Sequence, residues 1–190
     1  MHIRVLAGLT CAGALLVMQP SEAAQIQSIA VEHSDGRYRV RMHVLLDVTA
    51  ARAYAAFADP HNLVAINPDV QDAHLLADGS LYTQVRTCAG PFCKTLRQQQ
   101  QMRYSARGDG GHIWAQVVPE HSDLRSGTAQ WEFSALGEHA QLDFEAELEP
   151  AFWIPPLIGP WLLENSMRAE AQRTSLGIEQ VARQQAASAR

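Results

Sequence analysis

The chain of 190 residues is long enough for one domain with a substantial core and short for two. Its 47% hydrophobic and 18% charged residues exclude wholesale disorder. A net charge of -5, with 15 Lys and Arg scattered along the chain, excludes an electrostatic footprint for nucleic acid.

The N-terminus has the layout of an export signal. His2 and Arg4 precede an apolar run from Val5 to Met18, followed by Gln19-Pro20 and the small-residue end Ser21-Glu22-Ala23-Ala24. The apolar run is shorter than the roughly 20 residues that span a bilayer, so cleavage after Ala23 is expected rather than a permanent anchor. A lipoprotein reading through Cys11 fits less well, because Thr10 precedes that cysteine and the apolar run would be cut short. Residues 1–23 are thus read as a signal peptide and 24–190 as one periplasmic or secreted domain.

Period-two alternation begins directly after the signal. Ile26 to His33 and Tyr38 to Asp47 are predicted to form a hairpin around Ser34-Asp35-Gly36. Tyr38, Val40, Met42, Val44 and Leu46 share one face of it, and Arg39, Arg41 and His43 the other. The period then changes over 48–58, a predicted helix that carries Phe57, with Thr49 as its N-cap and Asp59-Pro60 as its stop. A second helical turn runs from His61 to Ile66 and ends at Asn67-Pro68.

Six strand-like runs follow: Val70 to Leu76, Leu81 to Thr87, Phe92 to Ala106, His112 to Pro119, Gly127 to Ala135 and Ala140 to Glu149. Short Gly, Asp or Ser turns separate them, as in an antiparallel meander. In the last run Leu142, Phe144, Ala146 and Leu148 share one face while Asp143, Glu145 and Glu147 share the other, so the sheet is expected to have a dry and a wet side. Cys88 and Cys93 flank Ala-Gly-Pro-Phe. In an exported chain the leading expectation is a disulfide across a hairpin neck, with a redox pair or half a metal site as rivals. Redox motifs prefer two intervening residues, and no second Cys/His pair follows at zinc spacing.

The stretch EPAFWIPPLIGPW (149–161) is proline-broken yet crowded with large apolar side chains. Beyond it a long helix is predicted from Pro160 to Gln185. Leu163, Met167, Ala171, Thr174, Ile178 and Val181 form its apolar stripe, and Glu164, Arg168, Arg173, Glu179 and Arg183 its wet side. The inner face of the sheet is the dry surface long enough to receive that stripe.

This order of elements resembles the helix-grip arrangement of the START-like, or SRPBCC, superfamily. The segment VLLDVTAARAYAAFADPHNLVAINP (44–68) is similar to that family's usual opening, in which a strand feeds a helix ahead of an Asp and then a Pro. Within the superfamily the likeness is to polyketide cyclases/dehydrases, lipid-transfer proteins and coenzyme-Q-binding proteins. The resemblance implies an α+β helix-grip fold, a curved antiparallel sheet wrapped around the long C-terminal helix with an internal cavity between them.

By alternation the inward faces also take Leu96, Gln98, Gln100, Met102 and Tyr104, then Ile113, Ala115 and Val117, then Ala129, Trp131 and Phe133. The expected ligand contacts are Tyr38, Met42, Phe57, Gln98, Gln100, Met102, Tyr104, Trp131, Phe133, Phe144, Trp153, Leu157 and Met167. Gln98 and Gln100 place neutral amides on a dry face, where they would bond a ligand oxygen, each other or buried water. A register slip of one residue would exchange them for Gln99 and Gln101. The aromatic side chains serve equally as plain core. The histidines stand singly, without metal or triad spacing, and neither a phosphate loop nor a Gly-x-Ser-x-Gly elbow occurs. No catalytic set, metal or cofactor is expected.

The resulting expectation is an exported, monomeric binding or carrier protein for a hydrophobic small molecule: a lipid, quinone, sterol-like compound or polyene. Two alternatives stay open. One is an enzyme resembling polyketide cyclases or dehydratases, with Tyr38, Tyr104 or His61 as the acid or base. The other is a docking module in which residues 149–161 make a transient membrane contact and the cavity is incidental.

Overall fold

The computed structural model describes residues 24–89, 92–152 and 159–189. The predicted signal at 1–23, the Gly90-Pro91 turn, and Trp153 and Leu157 in the proline-broken stretch lie outside the described residues, as does the side chain of Leu163.

The chain begins with a hairpin of β1 (Gln25–Ser34) and β2 (Arg37–Leu46). Its turn residues Asp35 and Gly36 take φ of 52° and 77°, the left-handed pair that a tight two-residue hairpin turn needs. Helix α1 (Ala50–Ala58) and the single turn α2 (Leu63–Ile66) follow, joined by a short 3₁₀ turn at Pro60–Asn62. Thr49 sits at the N-cap in extended backbone but makes no capping bond through its side chain, contrary to expectation. Ala50, Ala53 and Ala56 are the buried residues of α1, and their small side chains let the helix lie close to the sheet.

The meander then runs through β3 (Val70–Leu75), β4 (Leu81–Ala89), β5 (Phe92–Arg107), β6 (Gly110–Val117), β7 (Leu124–Leu136) and β8 (His139–Pro150). One curved, antiparallel, eight-stranded sheet results, in the order β1-β2-β8-β7-β6-β5-β4-β3. The two short helices carry the chain from β2 to the far edge, and the meander returns it to β2's free side. Cys88 and Cys93 face each other across the β4/β5 ladder and are disulfide-bonded.

Register bears out the two-faced pattern. Val40 pairs with Ala146, Met42 with Phe144 and Val44 with Leu142 on the inner side. Between them Arg39 pairs with Glu147, Arg41 with Glu145 and His43 with Asp143 on the outer side. Arg39 reaches Glu147 at 2.8 Å and Arg41 reaches Glu145 at 3.3 Å, a solvated ladder of ion pairs. The hydrogen bond from Arg39 is the largest influence that holds the Glu147 carboxyl below its ordinary range. Pairs this exposed are screened by solvent and cost side-chain entropy to order, so the ladder shapes the surface more than it stabilises the fold.

Helix α3 (Gly159–Ser188) lies against α1, α2, β1, β2 and β4. Ala171, Ile178, Val181 and Ala182 are buried on its inner side, as the predicted stripe requires. Gly177 permits a close crossing with α2: a Cβ there would meet the Ile66 carbonyl oxygen at 1.8 Å. One residue assigned to the wet side is not there. Glu179 is 1% exposed, accepts the Asp47 backbone N–H at 2.7 Å and pairs with Arg183 at 3.4 Å. Arg183 in turn donates to the Asp47 carbonyl at 3.0 Å. The carboxylate is stapled to the backbone where β2 ends, and this bonding makes its burial tolerable.

Candidate functional site

Between the inner sheet face, the α1–α2 corner and α3 lies a cavity of about 220 Å³. Each wall follows from local sequence. Alternation along the strands projects Met42 from β2, Leu81 and Val85 from β4, Met102 from β5, Ile113 from β6, Trp131 from β7, and Leu142 and Phe144 from β8. Phe57 and Ile66 close one side from α1 and α2. The close α2–α3 crossing at Gly177 holds the preceding turns of α3 over the opening, where Met167 and Ala171 form the roof.

Aromatic contacts stiffen the far wall. Trp131 stands between Phe57 and Phe144 with ring centroids 5.6 and 5.3 Å away, distances at which aromatic pairs attract. Phe133, an expected ligand contact, is 1% exposed and lies behind Phe57 at 5.9 Å, in the core rather than among the lining residues. Tyr38 is likewise absent from the lining. It is buried near the other end of β2 and stacks on His33 at 4.4 Å. Met42, Phe57, Gln98, Gln100, Met102, Tyr104, Trp131, Phe144 and Met167 do border the cavity.

The glutamine register is resolved as the unslipped one. Gln98 and Gln100 face the cavity, and the Gln100 amide donates to the Gln98 carbonyl at 2.8 Å. Gln98's amide N–H groups and Gln100's carbonyl keep further bonding capacity for a guest. Gln99 points to the convex side and is also buried, donating to Ser80 at 2.8 Å beneath the turn that contains Ser122. The Asn67 amide donates to the Thr174 hydroxyl at 3.0 Å and its carbonyl accepts from the Asp69 backbone at 2.9 Å, which fixes that corner.

Of the residues considered for proton transfer, Tyr104 alone reaches the cavity. It is 41% exposed, at the rim, and partial burial raises its phenol further above the ordinary value, so it stays neutral. His61 lies on the surface, bonded through its backbone to Asp59, and does not line the cavity. Asn62 donates to the Ala56 carbonyl instead.

Glu170 was absent from every expected set, yet it lines the cavity from α3. Desolvation is the largest influence on its carboxyl and raises its pKa; the negative charge of Asp69 raises it further, and Arg173 lowers it. The signal was available in the sequence. Glu170 follows Met167 by three residues and precedes Thr174 by four, which places it on the apolar stripe.

Among the described residues no group of His, Cys, Asp and Glu is placed to hold a metal ion. Among them, too, no helix is long and apolar enough to cross a membrane.

The architecture has known counterparts. A START superfamily protein from Mycobacterium smegmatis superposes with a TM-score of 0.60 at 15% identity, covering 75% of this chain and 98% of that one. The Zhui aromatase/cyclase from Streptomyces sp. R1128 gives 0.58 at 13% identity, over 79% and 96%. Human STARD10 gives 0.54 at 12% identity, over 81% and 72%. No family model and no curated protein sequence matches the chain. At these identities the likeness establishes the fold, which is the START-like helix grip.

Proposed function

We propose that the protein is an exported, monomeric carrier or binding protein that holds a compact hydrophobic molecule between its sheet and its C-terminal helix. The observation that carries this reading is the cavity itself: a space walled by aromatic and aliphatic side chains with a few polar groups, Glu170 the one acid among those described, the usual make-up of a small-molecule site. Its volume of about 220 Å³ favours a guest of one or two rings or a single short chain over a two-chain lipid, since pockets for drug-sized ligands run to about 300–1,000 Å³. Export is supported by the signal-like N-terminus and by the Cys88–Cys93 disulfide, a bond typical of oxidising compartments. Cleavage after Ala23 would place the new terminus next to β1, where Ala24 is buried and its carbonyl accepts from Gln172 at 3.3 Å.

The test is titration with 6-propionyl-2-(dimethylamino)naphthalene, a neutral two-ring dye that brightens and shifts its emission on leaving water. Saturable brightening is expected with the wild type, and its loss in Ala171→Phe, a substitution that fills the cavity from its roof. Equal brightening in both proteins would place the dye elsewhere and refute the reading.

A second reading, proton-transfer chemistry like that of a cyclase or dehydratase, has one observation in its favour: Tyr104 and Glu170 border the same cavity. Turnover of a linear polyketide precursor that is abolished by Tyr104→Phe or Glu170→Gln, with dye binding retained, would establish catalysis. Absence of turnover by the wild type would leave binding as the function.

A further inference from the structure

The cavity walls are unusual in their charge. Among the described lining residues there is no Lys, Arg or His, and the titratable members are Tyr104 and Glu170. Glu170 is partly buried, and its carboxyl makes no hydrogen bond and no ion pair with any described residue, a less favourable situation for a charged group than for a neutral acid. Arg173, the cation whose charge reaches it, is engaged by its hydrogen bond to Asp69. Asp69, in the loop after α2, adds a repulsive negative charge, and the strands and short helices of the wall supply only the neutral phenol of Tyr104. Partial burial, like-charge repulsion and the lack of a described partner all favour the protonated acid.

We propose that Glu170 is the polar anchor of the cavity: as a carboxylic acid it donates its proton to a neutral acceptor oxygen, such as a ketone, quinone or ester carbonyl, on a compact apolar ligand. The inference rests on the cavity being a ligand site and specifies the class of guest. Anionic amphiphiles are turned away, because among the described lining residues no cation would offset their desolvation and Asp69 adds repulsion. Cationic amines would require Glu170 to ionise in an apolar wall. A carbonyl-bearing ring system asks for neither. The open bonding positions on Gln98 and Gln100 offer a second neutral oxygen somewhere to bind.

A series built on one ring system tests this. Calorimetric titrations with 2-methylnaphthalene, 2-acetylnaphthalene, 2-naphthoate and 2-naphthylmethylamine would be run from pH 5 to 9 on wild type, Glu170→Gln and Glu170→Leu. The wild type is expected to bind the ketone about fivefold to tenfold more tightly than the methyl compound, as one well-made hydrogen bond allows, and to bind the naphthoate more weakly than either. Ketone affinity should fall as pH rises through the Glu170 pKa, because the donor proton is lost. Glu170→Gln, whose amide also donates, should keep the ketone preference and lose its pH dependence; Glu170→Leu should lose the preference. Equal ketone preference in wild type and Glu170→Leu, or tightest binding of the amine in a Glu170-dependent manner, would overturn the proposal while leaving the cavity reading standing. Failure of all four compounds to bind any folded variant would remove the cavity reading and this inference together.

Discussion

Two glutamates on one helix have opposite consequences for stability. Glu170 has its pKa raised above the ordinary 4.5, so the folded state binds its proton more tightly than the unfolded state does. Stability from this group is therefore fully present below the unfolded value and is lost as pH rises through the folded one. Denaturant unfolding of wild type and Glu170→Gln should show the substitution becoming progressively more favourable as pH rises above the ordinary carboxyl value; a difference independent of pH would mean that the carboxyl is not desolvated when folded. Glu179 is buried but bonded, to the Asp47 N–H and to Arg183. Glu179→Ala leaves that N–H without its partner and is expected to cost about 1–3 kcal/mol, read from the same unfolding curves, with Glu179→Gln losing less. Helical periodicity assigns a carboxylate to a face by its polarity, and so it put Glu179 in water and passed over Glu170. The partner that decides Glu179, Asp47, is remote in sequence and belongs to the tertiary structure, whereas Glu170's spacing from Met167 and Thr174 already put it on the apolar stripe.

Elements were easier to read than positions within them. The hairpin, both short helices, all six meander strands and the long helix were legible because each has a clear period and a turn or proline at its ends. Strand alternation also assigned the faces correctly, as the Arg39–Glu147 and Met42–Phe144 pairings demonstrate. Alternation says nothing, however, about where along a strand the cavity lies. Tyr38 shares its face with Met42 yet ends beneath His33, and Phe133 shares its face with Trp131 yet is covered by Phe57. The crossing of α3 over α2 was equally hidden, since it depends on one glycine meeting one carbonyl. Gly177→Ala forces the two helices apart and is expected to lower stability by about 1–3 kcal/mol, the usual range for overpacking, and to weaken dye binding by lifting the roof. Unchanged melting and unchanged binding would show that the crossing does not set the cavity's height.

At the scale of the whole molecule, the sheet and helix border a space that the core does not fill, and its lining is largely apolar, with no Lys, Arg or His among the described lining residues. A core of this size closes such gaps unless a guest completes the packing, because unfilled apolar volume costs stability. A guest that binds only the folded state adds stability by mass action, so an occupied protein should melt higher than one stripped of its guest. Native mass spectrometry of the protein purified under mild conditions, alongside Ala171→Phe, tests this account most directly. The wild type is predicted to carry a fraction shifted by the mass of one neutral, compact organic molecule that is released on gentle activation, and the filled variant to carry none. Bare protein mass for both, persisting after incubation with 2-acetylnaphthalene, would contradict it.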